Sequence, residues 1–421
     1  MATAPFHLMW NMTRRCNFQC RYCYFPHEAA PVEPVVPAGV LLDFLDATGE
    51  EWVVGMTGGE PFLYPDFVDL CHELSLRHRI SIDTNLSISR LVRDFADRVD
   101  PARVHDLYIA LHIEERRRKG LVDAFVEDIR LLLERGFHLT VNYVVHPQLV
   151  PEFRKDREWF GARGVPITPR PFKGFFDGQE YPNAYNAEAR AVFAEFPRAG
   201  RKMAFNFQGV PCRGGRTLLR LEPDGQLYRC SGEKRDLGNM LTTPRRLDTD
   251  EPCRARRCPC LGPNYVLLSP AQDALLAGLQ AMVTGNSTAA REQFLIALSL
   301  DPELPAAANN LGVLDWEAGA HEAARARFVQ ALALDPGADL FVGNLAAALA
   351  AHGEHLRAKE MVQRQMDPAW QTILTPLARQ LARGEETVGW PRLCVDFVPE
   401  HRREAMGIPF RLPVRPGIDM E

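Results

Sequence analysis

Residues 16–23 read CNFQCRYC, three thiols within eight positions. Cysteine thiolates are ligands for zinc and for iron-sulfur clusters, so the first question is what three of them hold. A tetrahedral structural zinc site needs four ligands, and a triplet therefore borrows a fourth or leaves one metal position open. Three arrangements are compatible with the spacing. Cys16, Cys20 and Cys23 stand at i, i+4 and i+7, one face of a helix, although the polar Asn17, Gln19 and Arg21 and the nearby Pro26 speak against a buried helix. His27 follows at a spacing that would close a zinc site. A 4Fe-4S cluster on three thiolates would keep one iron free for a substrate or cofactor.

The ten cysteines of the 421-residue chain are unevenly placed. Cys212, Cys230, Cys253, Cys258 and Cys260 form a second group, while Cys71 and Cys394 stand alone and read as buried apolar fillers. The opening MATAPFHLMW has neither a basic n-region nor a long apolar run, and no later segment reaches the roughly 18 apolar residues of a membrane span. A cytoplasmic chain without membrane contact is expected, in which cysteine groups read as metal sites before disulfides. With 46% hydrophobic and 24% charged residues and a formal net charge of -5, nothing draws it to nucleic acid.

The elements that must position these thiols follow from periodicity. Short apolar runs at 7–12, 51–56, 80–84, 107–113, 138–145 and 165–171 alternate with amphipathic stretches such as FVDLCHELSL, LVRDFADRV and LVDAFVEDIRLLLERG. Six strand-helix units predict an α/β class with a parallel sheet, whose working residues lie at the carboxyl ends of the strands. The cysteine loop and Thr57-Gly58-Gly59-Glu60-Pro61 both follow directly after strands, so they should meet on one face.

Taken together, CxxxCxxC with Tyr22 before its last cysteine, TGGEP after the second strand and Thr84-Asn85 after the third resemble the radical S-adenosylmethionine (SAM) enzymes. The resemblance implies a partial (β/α)6 TIM-like barrel over 1–170, with a SAM-binding 4Fe-4S cluster on Cys16, Cys20 and Cys23. SAM would lie against Tyr22, Gly58, Gly59, Glu60, Pro61, Asn85, His112 and Asn142. An external donor of flavodoxin or ferredoxin type would reduce the cluster, and cleavage of SAM would give a 5'-deoxyadenosyl radical. The glycines would let backbone approach the ligand, and the Glu60 carboxylate would accept from its ammonium. No residue identifies a substrate-side acid or base.

Residues 171–270 break the rhythm. LLRLE and QLYRC flank PDG, a hairpin signal that ends on Cys230, and CRARRCPC supplies the last three thiols. GQLYRC resembles the SPASM and twitch extensions of radical SAM enzymes, which carry auxiliary clusters, although CxxxxCxC departs from the seven-cysteine SPASM pattern. The expectation is a small cysteine-rich module with one auxiliary 4Fe-4S cluster on Cys212, Cys230 and at least two of Cys253, Cys258 and Cys260. Zinc is the structural alternative, Cys394 a distant ligand, and Arg254, Arg256 and Arg257 are placed to tune a potential.

From Pro270 the chain matches itself at an offset of 34: Gly278 with Gly312, Ala290 with Ala324, Phe294 with Phe328, Asp301-Pro302 with Asp335-Pro336. This period resembles the tetratricopeptide repeat (TPR) and predicts an all-α solenoid over 271–370. A proline-rich, extended tail is expected over 371–421. The function implied is a radical SAM enzyme modifying a peptide or protein, with the repeats binding substrate or partner in place of an amino-terminal leader-recognition domain. The alternatives are a radical SAM oxidoreductase of a small sugar or tetrapyrrole precursor, and a non-enzymatic scaffold with structural metals.

Overall fold

The computed structural model describes residues 4–23, 33–182, 184–196, 205–258, 261–336, 338–365, 371–383 and 391–399. His27, Cys260 and the tail beyond 399 lie outside these. Residues 1–201 with 213–250 form one compact unit, and 202–212 with 251–418 a second.

In the first unit β1 (Phe6–Thr13), β2 (Trp52–Gly58), β3 (Arg79–Thr84), β4 (Val104–Ala110), β5 (Leu139–Val145) and β6 (Ile167–Pro171) lie side by side in chain order, all parallel. The crossovers are α1 (Ala38–Asp46), α2 (Phe67–Ser75), α3 (Ser89–Arg98), α4 (Ile113–Lys119) with α5 (Val122–Glu134), and α6 (Val150–Gly161). The six expected strands are thus present. Alternate side chains sort to opposite faces of a strand, and in-register neighbours share a face. Leu8, Val54 and Ile80 are in register, as are Trp10, Met56 and Ile82. All are buried in one core with Leu41, Phe67, Phe95, Phe125 and Phe153 of the helices.

The opposite face is polar. It carries Met9, Gly55, Ser81 and Asp106 in one row and Asn11 with Thr57 in another. Ala110, Asn142 and Thr168 form a third row, with Arg170 beside Val144. A fully apolar strand would have hidden this division; the alternation of β1, with polar residues at 7 and 11 between Leu8, Trp10 and Met12, announces it.

After β6 come a short antiparallel pair, β7 (Gly174–Phe176) and β8 (Gln179–Tyr181), and α7 (Ala187–Ala194). Later, beyond the two-residue β9 (Pro211–Cys212), the PDG hairpin forms as β10 (Leu218–Leu221) and β11 (Gln226–Tyr228), followed by β12 (Asp236–Asn239). β10 pairs in parallel with β1, so the sheet runs β12-β11-β10-β1-β2-β3-β4-β5-β6. The segment expected as one module at 171–270 is therefore shared between the two units. The reason is non-local: Leu219 and Leu221 are apolar on the same face as Leu8 and Trp10 and extend their core.

The second unit begins with β9, which pairs with β13 (Glu251–Pro252). It continues with α8 (Pro270–Val283), α9 (Ser287–Leu300), α10 (Pro305–Glu317), α11 (His321–Leu334), α12 (Asp339–Ala351) and α13 (His355–Gln365). Helix starts at 287, 321 and 355, and at 305 and 339, recur every 34 residues. A Cβ on Gly278 would strike the Phe294 ring, and one on Gly312 the Phe328 ring, which explains the glycines at that offset. The tail is not wholly extended. Residues Gln371–Arg383 form α14, which buries Leu374, Leu377 and Leu381 against Leu345 and Leu349 of α12. Spacing at i, i+3 and i+7 marks that apolar stripe, and Pro376 within it disguised a helix as a proline-rich tail.

Candidate active site

The cysteine loop contains no helix, so the i, i+4, i+7 stripe does not form. It leaves β1 at Thr13 and is held at its root by the end of β2. Gly59 N donates to Thr13 O at 2.7 Å and Glu60 N to Arg15 O at 2.9 Å. A Cβ at Gly58 or Gly59 would collide with the carbonyls of Thr13 and Arg15, and Gly58 sits at φ +140°. The two glycines are thus needed for strand-to-loop contact within the chain itself, whatever else their backbone meets.

Glu60 is fully buried. Its carboxylate accepts from Phe62 N (3.1 Å), Thr84 Oγ1 (2.6 Å) and Asn85 N (2.7 Å), tying TGGEP to the Thr84-Asn85 pair after β3. Burial raises its carboxyl above the usual range, while these bonds and the nearby Arg116 oppose the rise. Asn85 in turn reaches the thiol loop: Nδ2 donates to Asn17 Oδ1 at 3.0 Å and stands 3.8 Å from Cys16 Sγ. Its Oδ1 is buried with no hydrogen-bond partner. An orphaned buried acceptor beside a candidate ligand is what an absent polar cofactor leaves behind. Pro61 continues into a single 3-10 turn and is buried.

The loop's other wall is α4, a role the sequence reading missed. Gln19 N donates to Glu115 Oε2 at 3.1 Å, Arg21 pairs with Glu114, and Tyr22 OH meets His112 Nδ1 at 3.1 Å. Arg116, almost wholly buried, donates to the carbonyls of Leu111 and Asn85 and lies 3.8 Å over the Phe125 ring and 5.5 Å from that of Phe18. Side-chain contacts from 112, 114, 115 and 116 therefore grip 22, 21, 19 and 18. The signal was the charged run EERRRK directly after a strand, which reads as a solvated face until its loop partners are known.

His112 adopts φ +44° and its imidazole is lowered to about 4, by burial first and then by Arg116. His146 stacks on Tyr22 with ring centroids 6.0 Å apart, touches Phe172 and Phe176, and is also lowered to about 4, by burial and by Arg21. Both are neutral imidazoles at physiological pH. His146 escaped the sequence reading because nothing local marks it. Asn142, on the polar face, accepts from Arg170 Nε at 2.7 Å. On the same face Glu222 accepts from Asn11 Nδ2 (3.0 Å) and Arg220 Nε (3.1 Å).

The donor set suits a cation. Cys20 is buried and pushed up to about 12, by burial first and then by the charges of Cys16 and Cys23. A thiol raised in this way becomes a thiolate when a metal supplies the opposite charge. Among the described residues no three His, Cys, Asp or Glu side chains are gathered closely enough to share one ion.

In the second unit Cys212, Cys253 and Cys258 are spaced by backbone pairing. Cys212 faces Glu251 across β9 and β13, Cys253 exchanges N-H···O bonds with Val210 and Gly209 at 2.9 Å, and Cys258 N donates to Phe205 O at 3.0 Å. Cys258 Sγ occupies the space a Gly262 Cβ would need. Cys230 belongs to the first unit, after β11. Cys71 is buried in the helical core as expected, and Cys394 is buried in the second unit.

Residues 10–160 match the family model of the Radical SAM superfamily. Over 146 residues the chain is 32% identical to 7-carboxy-7-deazaguanine synthase of Methanothermobacter thermautotrophicus, covering 31% of this chain and 58% of that protein. Over 257 residues it is 26% identical to PqqA peptide cyclase of Gluconobacter oxydans, covering 55% of this chain and 71% of the cyclase. The chain thus spans little more than half of the synthase. Among solved structures, Streptococcus suis SuiB aligns with a TM-score of 0.39 at 16% identity, over 55% of this chain and 63% of that one.

Proposed function

We propose that this chain, whose residues 10–160 match the Radical SAM superfamily, is an enzyme that cleaves SAM reductively and modifies a peptide or protein. The observation that carries the enzymatic part is the gripped thiol loop. Cys16, Cys20 and Cys23 stand at the end of β1, while Asn85, with its unpartnered Oδ1, and Tyr22 with His112 line the same loop. The three thiolates would hold a 4Fe-4S cluster. When bound, cluster and SAM would supply a one-electron cleavage of a carbon-sulfur bond, whose product takes a hydrogen atom from the substrate.

The chain's own residues prepare that chemistry. Arg116 and Glu60 fix the main chain around Asn85. The neutral His112 orients Tyr22, and the aromatic group of Tyr22, His146, Phe172 and Phe176 excludes water beside the loop. The polar face, with Asn11, Asn142, Arg170, Arg220 and Glu222, offers donors and acceptors to a substrate bearing amides and charge. A peptide substrate is supported by the match to PqqA peptide cyclase over more than half of this chain. The match to 7-carboxy-7-deazaguanine synthase, over 31% of this chain, favours a small molecule as the second reading.

The auxiliary cluster proposed from the sequence keeps Cys212, Cys253 and Cys258 among its ligands, with Cys230 and Cys260 to be decided. The helical pairs are proposed as tetratricopeptide-type repeats. Anaerobic reconstitution tests the reading. About eight irons per chain and 5'-deoxyadenosine released under reductant are expected for two such clusters. Tightly held zinc with no SAM cleavage would leave only a metal-stabilised scaffold.

A further inference from the structure

Residues 391–399 form neither helix nor strand and, in the second unit, meet three asparagines of the helical array, Asn309 and Asn310 on α10 and Asn344 on α12. All three are completely buried. Asn310 and Asn344 are 34 residues apart, so they occupy the same place in successive repeats. Each makes the same pair of bonds. Asn310 Oδ1 accepts from Cys394 N at 2.7 Å and its Nδ2 donates to Cys394 O at 2.9 Å. Asn344 Oδ1 accepts from Arg392 N at 2.7 Å and its Nδ2 donates to Arg392 O at 2.8 Å. Asn309 adds a bond from Nδ2 to Arg392 O at 3.0 Å.

Residues 392 and 394 point the same edge of an extended chain toward the array, about 6.6 Å apart as i and i+2 of a strand must be. Every one of these bonds goes to main chain. What the asparagines recognise is a peptide backbone in extended form, not the side chains of this sequence. Side-chain anchorage is concentrated further along: the Phe397 ring lies 4.5 Å from Phe207 and 6.1 Å from Phe205. There Asn206 N donates to Val395 O at 3.0 Å and Gln272 Nε2 to Phe397 O at 2.8 Å.

We propose that Asn310 and Asn344 form a receptor for the main chain of an extended peptide, and that residues 391–398 are its resident occupant, displaced when a peptide partner enters. Two features support exchange over permanence. The bonds at 392 and 394 are ones that any peptide can reproduce, and neutral amide bonds are individually modest. The tethered tail competes through its high local concentration, so loosening its separate anchor at Phe397 should expose the clasp without damaging it. The proposal does not depend on the peptide being the substrate, and its test involves neither cluster nor turnover.

The probe is a fluorophore-labelled peptide of residues 391–399, PRLCVDFVP with serine at the cysteine, titrated by anisotropy into the full chain. If the tail fills the clasp nine-tenths of the time, Phe397→Ala should tighten probe binding by up to about tenfold over the natural chain. A main-chain receptor should also bind, within about threefold, a probe scrambled at every position but the phenylalanine, and lose a probe N-methylated at the position of Cys394 while keeping one methylated at Leu393. These probes need no change at a buried asparagine, so folding of an Asn310→Ala variant is not at issue. Phe397→Ala binding no tighter than the natural chain would overturn the displacement. Equal binding of both N-methylated probes would overturn the clasp as the site.

Discussion

The two cysteine regions are built on opposite principles. In the first unit Cys16, Cys20 and Cys23 ride on a loop without regular secondary structure, and its position is set largely by side chains: Glu115 on Gln19, His112 on Tyr22, Asn85 on Asn17, and the buried Arg116 beside Phe18. In the second, Cys212, Cys253 and Cys258 are spaced by main-chain pairing between 205–212 and 251–258. A loop gripped by side chains can open one face to a ligand. A ladder of backbone bonds suits a centre that only has to stay in place. The contrast fits a first site that binds a cosubstrate and a second that does not react.

The strongest test exchanges one cysteine in each region. Cys20→Ser should remove about four irons and abolish release of 5'-deoxyadenosine, whereas Cys253→Ser should remove a similar amount and leave SAM cleavage within about threefold. Iron analysis and product chromatography read both. Loss of cleavage in both variants would mean that the regions serve one centre, and the contrast would collapse. Cys230→Ser then assigns that thiol by whether its iron loss resembles the Cys253 variant.

A smaller effect is expected where the grip itself is cut. Arg116→Ala leaves Glu60 without its cationic neighbour, frees the carbonyls of Asn85 and Leu111, and empties the space over Phe125. Breaking a buried charge arrangement costs about 3–5 kcal/mol, read by denaturant unfolding of the metal-free chain. Arg116→Lys should recover only part, since an ammonium cannot span two carbonyls and stack on a ring. Full stability in Arg116→Ala would show that the loop, like the ladder, is held by backbone. Tyr22→Phe, which removes a single bond to His112, should cost about 1 kcal/mol and raise the concentration of SAM needed for half-maximal cleavage.

The same division explains what the sequence made legible. CNFQCRYC, TGGEP and the six-strand rhythm are local patterns, and the structure has the strands and loops where those patterns put them. The grip of α4 was not legible, because EERRRK becomes a clamp only when β4 brings it to residues 93 to 96 positions away in sequence. Asn85 is expected from the sequence to meet SAM, and its bonds to Asn17 and from Arg116 show that it organises the loop. The parallel pairing of β10 with β1 joins residues more than 200 apart, and no turn or periodicity encodes such a partnership. The helix at 371–383 is a different case, since its leucine spacing is visible in the sequence and Pro376 masks it.

The smallest effect at neutral pH, and the one that separates the sheet from both cysteine regions, concerns His7. It lies on the polar face of β1, packed so closely under Gly55 that a Cβ there would stand 3.0 Å from its Nε2. Burial first, and His105 second, lower it from 6.5 to about 4. A folded-state value below the unfolded one means that the unfolded chain takes up the proton first. The folded chain then keeps its full stability above pH 6.5 and loses it as pH falls toward 4. A shift of this size corresponds to at most about 3 kcal/mol by pH 4 and to almost nothing at pH 8. His7→Gln should therefore flatten the dependence of unfolding free energy on pH between 6.5 and 4, measured in urea on the metal-free chain, whatever its effect at pH 8. Because His7 stands at the start of β1 and the cysteine loop follows the other end, the iron content of the reconstituted variant should be unchanged. An unaltered slope would show that His7 is protonated in the fold, and that the polar face of the sheet is open to solvent down to its amino-terminal end.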